Sequence, residues 1–265
     1  MLRSLKDLEK YDVSATDGPI GSLVNFLFDD DRWITRYLVV KTGGFLSGAP
    51  QVLIAPISFR AVDWSTRHIN LALTVDKIEK SPSVDTDKPV SRQHELDYYL
   101  YYGYPYYWGV GGVGGLGAYP GMLTAGLPRE QPKEARKKLP SDGHLRSVNE
   151  VRGYHVKASD DAVGSIHDFI VDDDTWQIRY LVVDTSSWWF GKKVLVAPQW
   201  VDSVSWEKRT VHIDLAREQI KRSPEWNQLA GVGRDYEAQL YDHYRRPDYW
   251  GHPSLADDPA AELHR

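Results

Sequence analysis

The sequence predicts an all-β protein made of two small barrels in tandem. Three observations carry that reading. The segment 21–40, GSLVNFLFDDDRWITRYLVV, returns at 164–183 as GSIHDFIVDDDTWQIRYLVV. The apolar, β-branched runs are short and evenly spaced with polar turns between them, which is the pattern of hairpin-connected strands. Finally, the central strands are apolar on both faces, with Leu23 and Leu27 on one and Val24 and Phe26 on the other. Such strands need cover twice, from a barrel interior and from something packed outside.

In chain order, Leu2-Arg3-Ser4 opens the first repeat and Leu145-Arg146-Ser147 the second. Alternation over 11–15 reads as a first strand, and Asp17-Gly18 as a tight turn. Residues 20–28 and 33–41 read as two longer strands joined through the acidic turn. A turn of variable length follows, GGFLSGAPQ in one repeat and SSWWFGKK in the other, where a surface loop absorbs the difference. Val52-Leu53-Ile54-Ala55-Pro56 and Val194-Leu195-Val196-Ala197-Pro198 are short strands stopped by proline. Segments 59–64 and 201–206, then 68–73 and 210–215, complete six strands per repeat. A helical turn ends each at Ser81-Pro82 and Ser223-Pro224, because the residue before proline is pushed out of helical geometry. Closure of each set into a barrel hides the edge backbone groups that a small open sheet leaves unpaired.

Composition excludes several classes. The balance of 32 Lys+Arg against 37 Asp+Glu gives a formal charge of −5, without the basic excess of a protein that neutralises phosphates. No nucleic-acid partner is expected. With no cysteine, disulfides, thiolate metal sites and a cysteine nucleophile are ruled out. Neither a secretory signal nor an apolar run long enough for a membrane span is present, so a cytoplasmic protein is expected.

Tyrosine and tryptophan are in surplus, 16 and 10 against 6 phenylalanines. They concentrate after each barrel, in 94–109 and 236–251, which share Pro-Xaa-Tyr-Trp-Gly. Polar-tipped aromatics suit surfaces that become half-buried in contacts. Candidate interaction residues are Tyr98, Tyr99, Tyr101, Tyr102, Tyr104, Tyr106, Tyr107 and Trp108 in the first tail. In the second they are Tyr241, Tyr244, Tyr249 and Trp250. Two alternatives stand for these tails: folding back over a barrel, or an arm that exchanges between subunits or captures a partner. The expected domains are a barrel with its tail over 1–109, a Gly/Pro/charged linker over 110–143, a barrel with its tail over 144–251, and a polar end over 252–265.

No catalytic constellation is expected. Asp29-Asp30-Asp31 and Asp172-Asp173-Asp174 are weak candidates for a hard cation. Their spacing matches no alternating-ligand calcium loop, and a hairpin tip explains them, with Arg36 and Arg179 placed to pair with them. The nine histidines form no paired constellation, and the repeat preserves none: His68 corresponds to Thr210 and His167 to Val24. The glycine-rich run 111–117 opens no helix and so is no phosphate cradle. The mixed-charge run 133–138 reads as a solvated linker face. Neither a metal nor a cofactor is expected.

The order Ile-Gly-Ser, acidic turn, Arg-Tyr-Leu-Val-Val, then Val-Leu-(Ile/Val)-Ala-Pro resembles the PRC-barrel family, over residues 2–82 and 145–224. That family includes the cytoplasmic domain of the photosynthetic reaction centre H subunit and the barrel of a ribosome maturation factor, and the aromatic tails resemble extensions of stand-alone bacterial members. The resemblance implies a docking module with no shared catalytic residues. The expected function is a non-enzymatic bacterial scaffold that binds a protein partner or forms a homo-oligomer. The alternative it implies is an accessory protein docking peripherally on a membrane electron-transfer complex, or a stress-response protein.

Overall fold

A computed structural model describes residues 1–43, 51–82, 90–104, 143–185 and 191–251 of the chain. The fold is all-β with a few helices, and it divides into two compact units. The N-terminal unit comprises Leu5–Glu150 and Asp173–Gln177; the C-terminal unit comprises Met1–Ser4, Val151–Asp172 and Ile178–Arg265. The units therefore do not coincide with the two sequence repeats. The linker expected over 110–143 lies outside the described residues except for its last position, and so do the variable turns at 44–50 and 186–190 and the end at 252–265.

In the N-terminal unit the strands are β2 (Asp12–Ser14), β3 (Pro19–Asp29), β4 (Ile34–Thr42), β5 (Gln51–Ile54), β6 (Phe59–Asp63) and β7 (His68–Leu71). They lie in the order β5-β4-β3-β2-β7-β6. The pairs are antiparallel except β2 with β7. β3 is the longest strand and is bulged between Leu23 and Asn25 and between Leu27 and Phe28, which bends it and raises its twist. β4 takes one edge of β3 over 21–29. The other edge is shared, with β2 on 19–22 and the strand β9 (Gly143–Ser147) on Leu27, Phe28 and Asp29. A further short strand, β8 (Val90–Ser91), pairs with the far side of β9.

The C-terminal unit repeats the scheme with β10 (His155–Lys157), β11 (Ala162–Asp172), β12 (Ile178–Asp184), β13 (Lys193–Val196), β14 (Val201–Ser205) and β15 (Thr210–Ile213), in the order β13-β12-β11-β10-β15-β14. Here the vacant edge of β11 is filled by β1 (Leu2–Ser4), with Leu2 opposite Asp172, Arg3 opposite Val171 and Ser4 opposite Ile170. Both Leu-Arg-Ser openings are thus strands, and each completes the sheet built from the other repeat. In a stretch this short, three residues show too little alternation to signal a strand.

The expected closure is not observed. Among the described residues, β5 and β6 stand at opposite ends of one ladder and β13 and β14 at opposite ends of the other. The chain turns each corner through a 3-10 segment, Pro56–Ser58 or Pro198–Trp200. Proline at the corner has no N–H to donate, which ends the ladder instead of bridging it. Bulges in the end strands, between Phe59 and Ala61 and between Val201 and Ser203, distort the free edges against further pairing.

Among the described residues, the short helices α1 (Leu5–Leu8), α2 (Val75–Glu79) and α4 (Val148–Val151) connect strands, and α5 (Arg217–Arg222) follows the last strand. The first part of each aromatic segment is helical: among the described residues the two longest helices are α3 (Arg92–Tyr102) and α6 (Arg234–Tyr244). In α6 the buried residues Glu237, Leu240, Tyr241 and Tyr244 recur at one helical face. This is the outer cover that strands apolar on both faces demanded.

Gly21 and Gly164 hold equivalent places at the start of the long strands, with φ of 155° and 152°. A Cβ at either would run into the carbonyl of Lys41 or Asp184 on the neighbouring strand. Gly164→Ala is expected to cost roughly 3 kcal/mol from backbone strain and overpacking, read as a lowered urea midpoint with an unchanged slope.

Candidate functional site

The tyrosines that stood out in sequence are mostly interior. Tyr98, Tyr99 and Tyr102 on α3 and Tyr241 and Tyr244 on α6 are buried. Tyr98 donates to the Leu53 carbonyl at 3.1 Å and accepts from the Ala55 N–H at 3.0 Å. A side chain whose polar tip is satisfied by β5 backbone belongs to the core of its unit. Its ring meets Tyr37 edge-on at 5.1 Å. Tyr101, Tyr104, Tyr249 and Trp250 remain half-exposed, with Tyr101 bonded to the Lys77 carbonyl at 2.7 Å and Tyr104 to Ser58 at 2.8 Å. Tyr106, Tyr107 and Trp108 lie outside the described residues. The structure thus places the buried tyrosines in the fold-back arrangement and leaves a half-exposed aromatic rim at the C-terminal end of α3 and in the chain that follows α6.

At the centre of each aromatic cluster sits a buried carboxylate that the sequence reading passed over. Glu237 on α6 is 2% exposed. Its Oε1 accepts from the Tyr180 hydroxyl at 2.6 Å and the Tyr249 hydroxyl at 2.7 Å, and Arg234 Nη1 lies 3.0 Å from Oε2. Glu95 on α3 is the counterpart, accepting from Tyr37 at 3.0 Å and facing His144 Nε2 at 2.8 Å. The signal was present: in both repeats a Glu stands four residues before a buried Tyr, Glu95 before Tyr99 and Glu237 before Tyr241. A carboxylate on the inner face of a helix must be paired to be buried at all. Burial, with the carboxylate of Glu237 adding to it, drives the Tyr180 phenol far above the ordinary tyrosine range. Burial likewise lifts Tyr102 and Tyr241 to about 12.

The strands supplied by the opposite repeat are keyed by side chains as well as backbone. In the C-terminal unit, buried Asp168 accepts from Ser4 Oγ at 2.5 Å and from Arg152 at 3.1 Å. In the N-terminal unit the equivalent residue is Asn25. It donates to Ser147 Oγ at 2.8 Å while its carbonyl accepts from the Phe26 and Asn149 N–H groups. The serine is common to both strands, whereas its receptor is a carboxylate in one unit and an amide in the other.

The acidic turns behave as turns. Asp29 is buried, caps the N–H groups of Asp31 and Arg32 at 3.2 Å each, and lies 3.4 Å from Arg36. Asp30 pairs with Arg146 at 2.7 Å; burial raises its carboxyl pKa and Arg146 pulls the other way. Asp31 is exposed. The three carboxylates come within 4.8 Å of one another, but two of them already answer to arginines. Asp172 is partly buried, with Arg179 at 3.9 Å, while Asp173 is partly buried and Asp174 exposed. Of the histidines, His68 bonds Ser14 at 2.9 Å and His167 meets Lys193 Nζ at 2.9 Å.

The family model described as the PRC-barrel domain matches residues 144–220, which is the second repeat through its helical turn. No curated protein matches the chain. Among the described residues no helix is long and apolar enough to cross a membrane.

Two outcomes follow from this geometry. Proline at Arg3 is expected to speed amide exchange at Ile170 and Val171 by roughly tenfold or more, the equivalent of one ladder bond at about 1.4 kcal/mol. The amides of Leu27 and Phe28 should stay protected, and proline at Arg146 should reverse the pattern. Alkaline titration supplies the second. Tyr102 and Tyr241 sit at about 12 when folded, against about 10 in an unfolded chain. The folded state therefore favours the protonated phenols, a stabilisation complete below pH ~10 and lost as pH rises through about 12. Tyrosinate absorbance and loss of far-ultraviolet dichroism should rise together.

Proposed function

We propose that this chain is a non-enzymatic scaffold whose two PRC-barrel modules bind protein, either a partner or another copy. The single observation that carries the reading is the match of residues 144–220 to the PRC-barrel domain. That domain is a small β-barrel interaction module, and the first repeat carries the corresponding motifs in the same order. Extension of the assignment to the first repeat rests on this correspondence and on the shared strand order of the two sheets.

The half-exposed aromatics are the contact residues under this reading. Tyr101 stands beside Leu100, which is 40% exposed, and Tyr249 and Trp250 form the corresponding rim on the other unit. Aromatic side chains with one polar end are the residues that gain most on partial burial at an interface. The buried carboxylates take no part in this contact surface, since each is bonded to groups of its own unit.

The test is site-specific photo-cross-linking in cells from Tyr101 and Trp250, with Arg60 on a bulged end strand as the comparison. Cross-links to one defined protein from the two aromatic positions, and few from Arg60, are expected. Equal yields at all three positions, together with a monomer by light scattering, would sink the reading.

A further inference from the structure

We propose that the Glu237 cluster is a proton-coupled relay that receives oxidising equivalents at the surface and holds them on tyrosine. Trp250 and Tyr249 are half-exposed and their ring centroids are 5.0 Å apart. Tyr241 lies 5.2 Å from Trp250 and 6.5 Å from Tyr180. From a solvent-reachable indole the aromatic path therefore runs inward to a phenol that is fully buried. Packing alone accounts for rings in contact. It does not account for two phenols, Tyr180 and Tyr249, donating to one and the same oxygen of a buried carboxylate at 2.6 and 2.7 Å.

That arrangement matters because a phenol loses an electron readily only when its proton has somewhere to go. Glu237 Oε1 is an acceptor already in line, and Arg234 holds Oε2 in place at 3.0 Å. The wider composition points the same way. Sulfur is the usual first target of oxidants at exposed positions, yet the chain has no cysteine and 2 methionines against 26 tyrosines and tryptophans (16 + 10).

A one-electron oxidant of the peroxyl- or azidyl-radical class takes one electron from the Trp250 indole and becomes its anion. Tyr249 then supplies an electron to the oxidised indole; its O–H bond breaks, and the proton forms an O–H bond with Glu237 Oε1. The result is neutral Trp250, a Tyr249 phenoxyl radical and a protonated Glu237. A one-electron reductant of the ascorbate class returns the electron, and Glu237 returns the proton. The relay needs no docking partner and stands apart from the scaffold reading.

Pulse radiolysis of the full chain with azidyl radical, which oxidises tryptophan, tests it. Tryptophanyl signal should convert to tyrosyl signal in a fast first-order phase independent of protein concentration. Glu237→Gln should slow that phase by roughly tenfold or more, a barrier change of about 1.4 kcal/mol. Tyr236→Phe should leave it unchanged, because the Tyr236 hydroxyl donates to the Pro224 carbonyl and not to a carboxylate. A fast phase of unaltered rate in Glu237→Gln, or conversion whose rate scales with protein concentration, overturns the relay. Should Glu237→Gln lose its folded dichroism, a variant carrying both Tyr180→Phe and Tyr249→Phe takes its place, since it removes both phenols that donate to Glu237. Loss of the fast phase there supports the relay, and its survival overturns it.

Discussion

The structure depends on how the long bent strand in each sheet fills its second edge. β3 and β11 are too long for their first neighbours, β2 and β10, which cover only one end of them. The remaining stretch would present unpaired backbone groups beside a hydrophobic interior, and such groups cost about as much as lost hydrogen bonds. Three residues of a strand from the opposite repeat, Leu2–Ser4 of β1 or Leu145–Ser147 of β9, answer that need in both units. The duplication is therefore more than two copies of a module on a string. Each sheet contains sequence from both repeats.

The polar keys show how the duplicated halves came to differ. Ser4 and Ser147 occupy equivalent places, but one meets Asp168 and the other Asn25. The carboxylate in turn recruits Arg152, whereas the amide uses its two ends on a serine and on backbone N–H groups. A buried charge demands a countercharge, and a buried amide demands a donor and an acceptor. The serine hydroxyl serves both solutions, donating to the carboxylate in one unit and accepting from the amide in the other.

The aromatic helices solve a second problem with a second buried charge. Strands apolar on both faces leave the outer face greasy, and α3 and α6 cover it with tyrosine. Tyrosine brings hydroxyls into a dry region, where each needs a partner. Tyr98 finds β5 backbone, and Tyr180 and Tyr37 find Glu237 and Glu95. One carboxylate thus satisfies phenols from the sheet and from the chain that follows the helix, pinning the three together. The half-exposed rim of Tyr249 and Trp250 is the outer end of this network.

Much of this was legible in the residues alone. The repeat, the six-strand order of each half, the acidic turns with Arg36 and Arg179 beside them, and the need for outer cover all follow from spacing and side-chain character. Those are local properties, and a strand or a turn is specified by its own few residues. The partner of Leu2-Arg3-Ser4, the inward face of the tyrosine segments and the open ends at Pro56 and Pro198 were not. Register between distant segments depends on which edge is left vacant once everything else has paired, and the burial of Glu237 depends on which hydroxyls the assembled sheet happens to aim at it. Sequence determined the elements and their duplication; tertiary structure alone decided which repeat completes which sheet, because an unpaired edge exists only after the sheet is built.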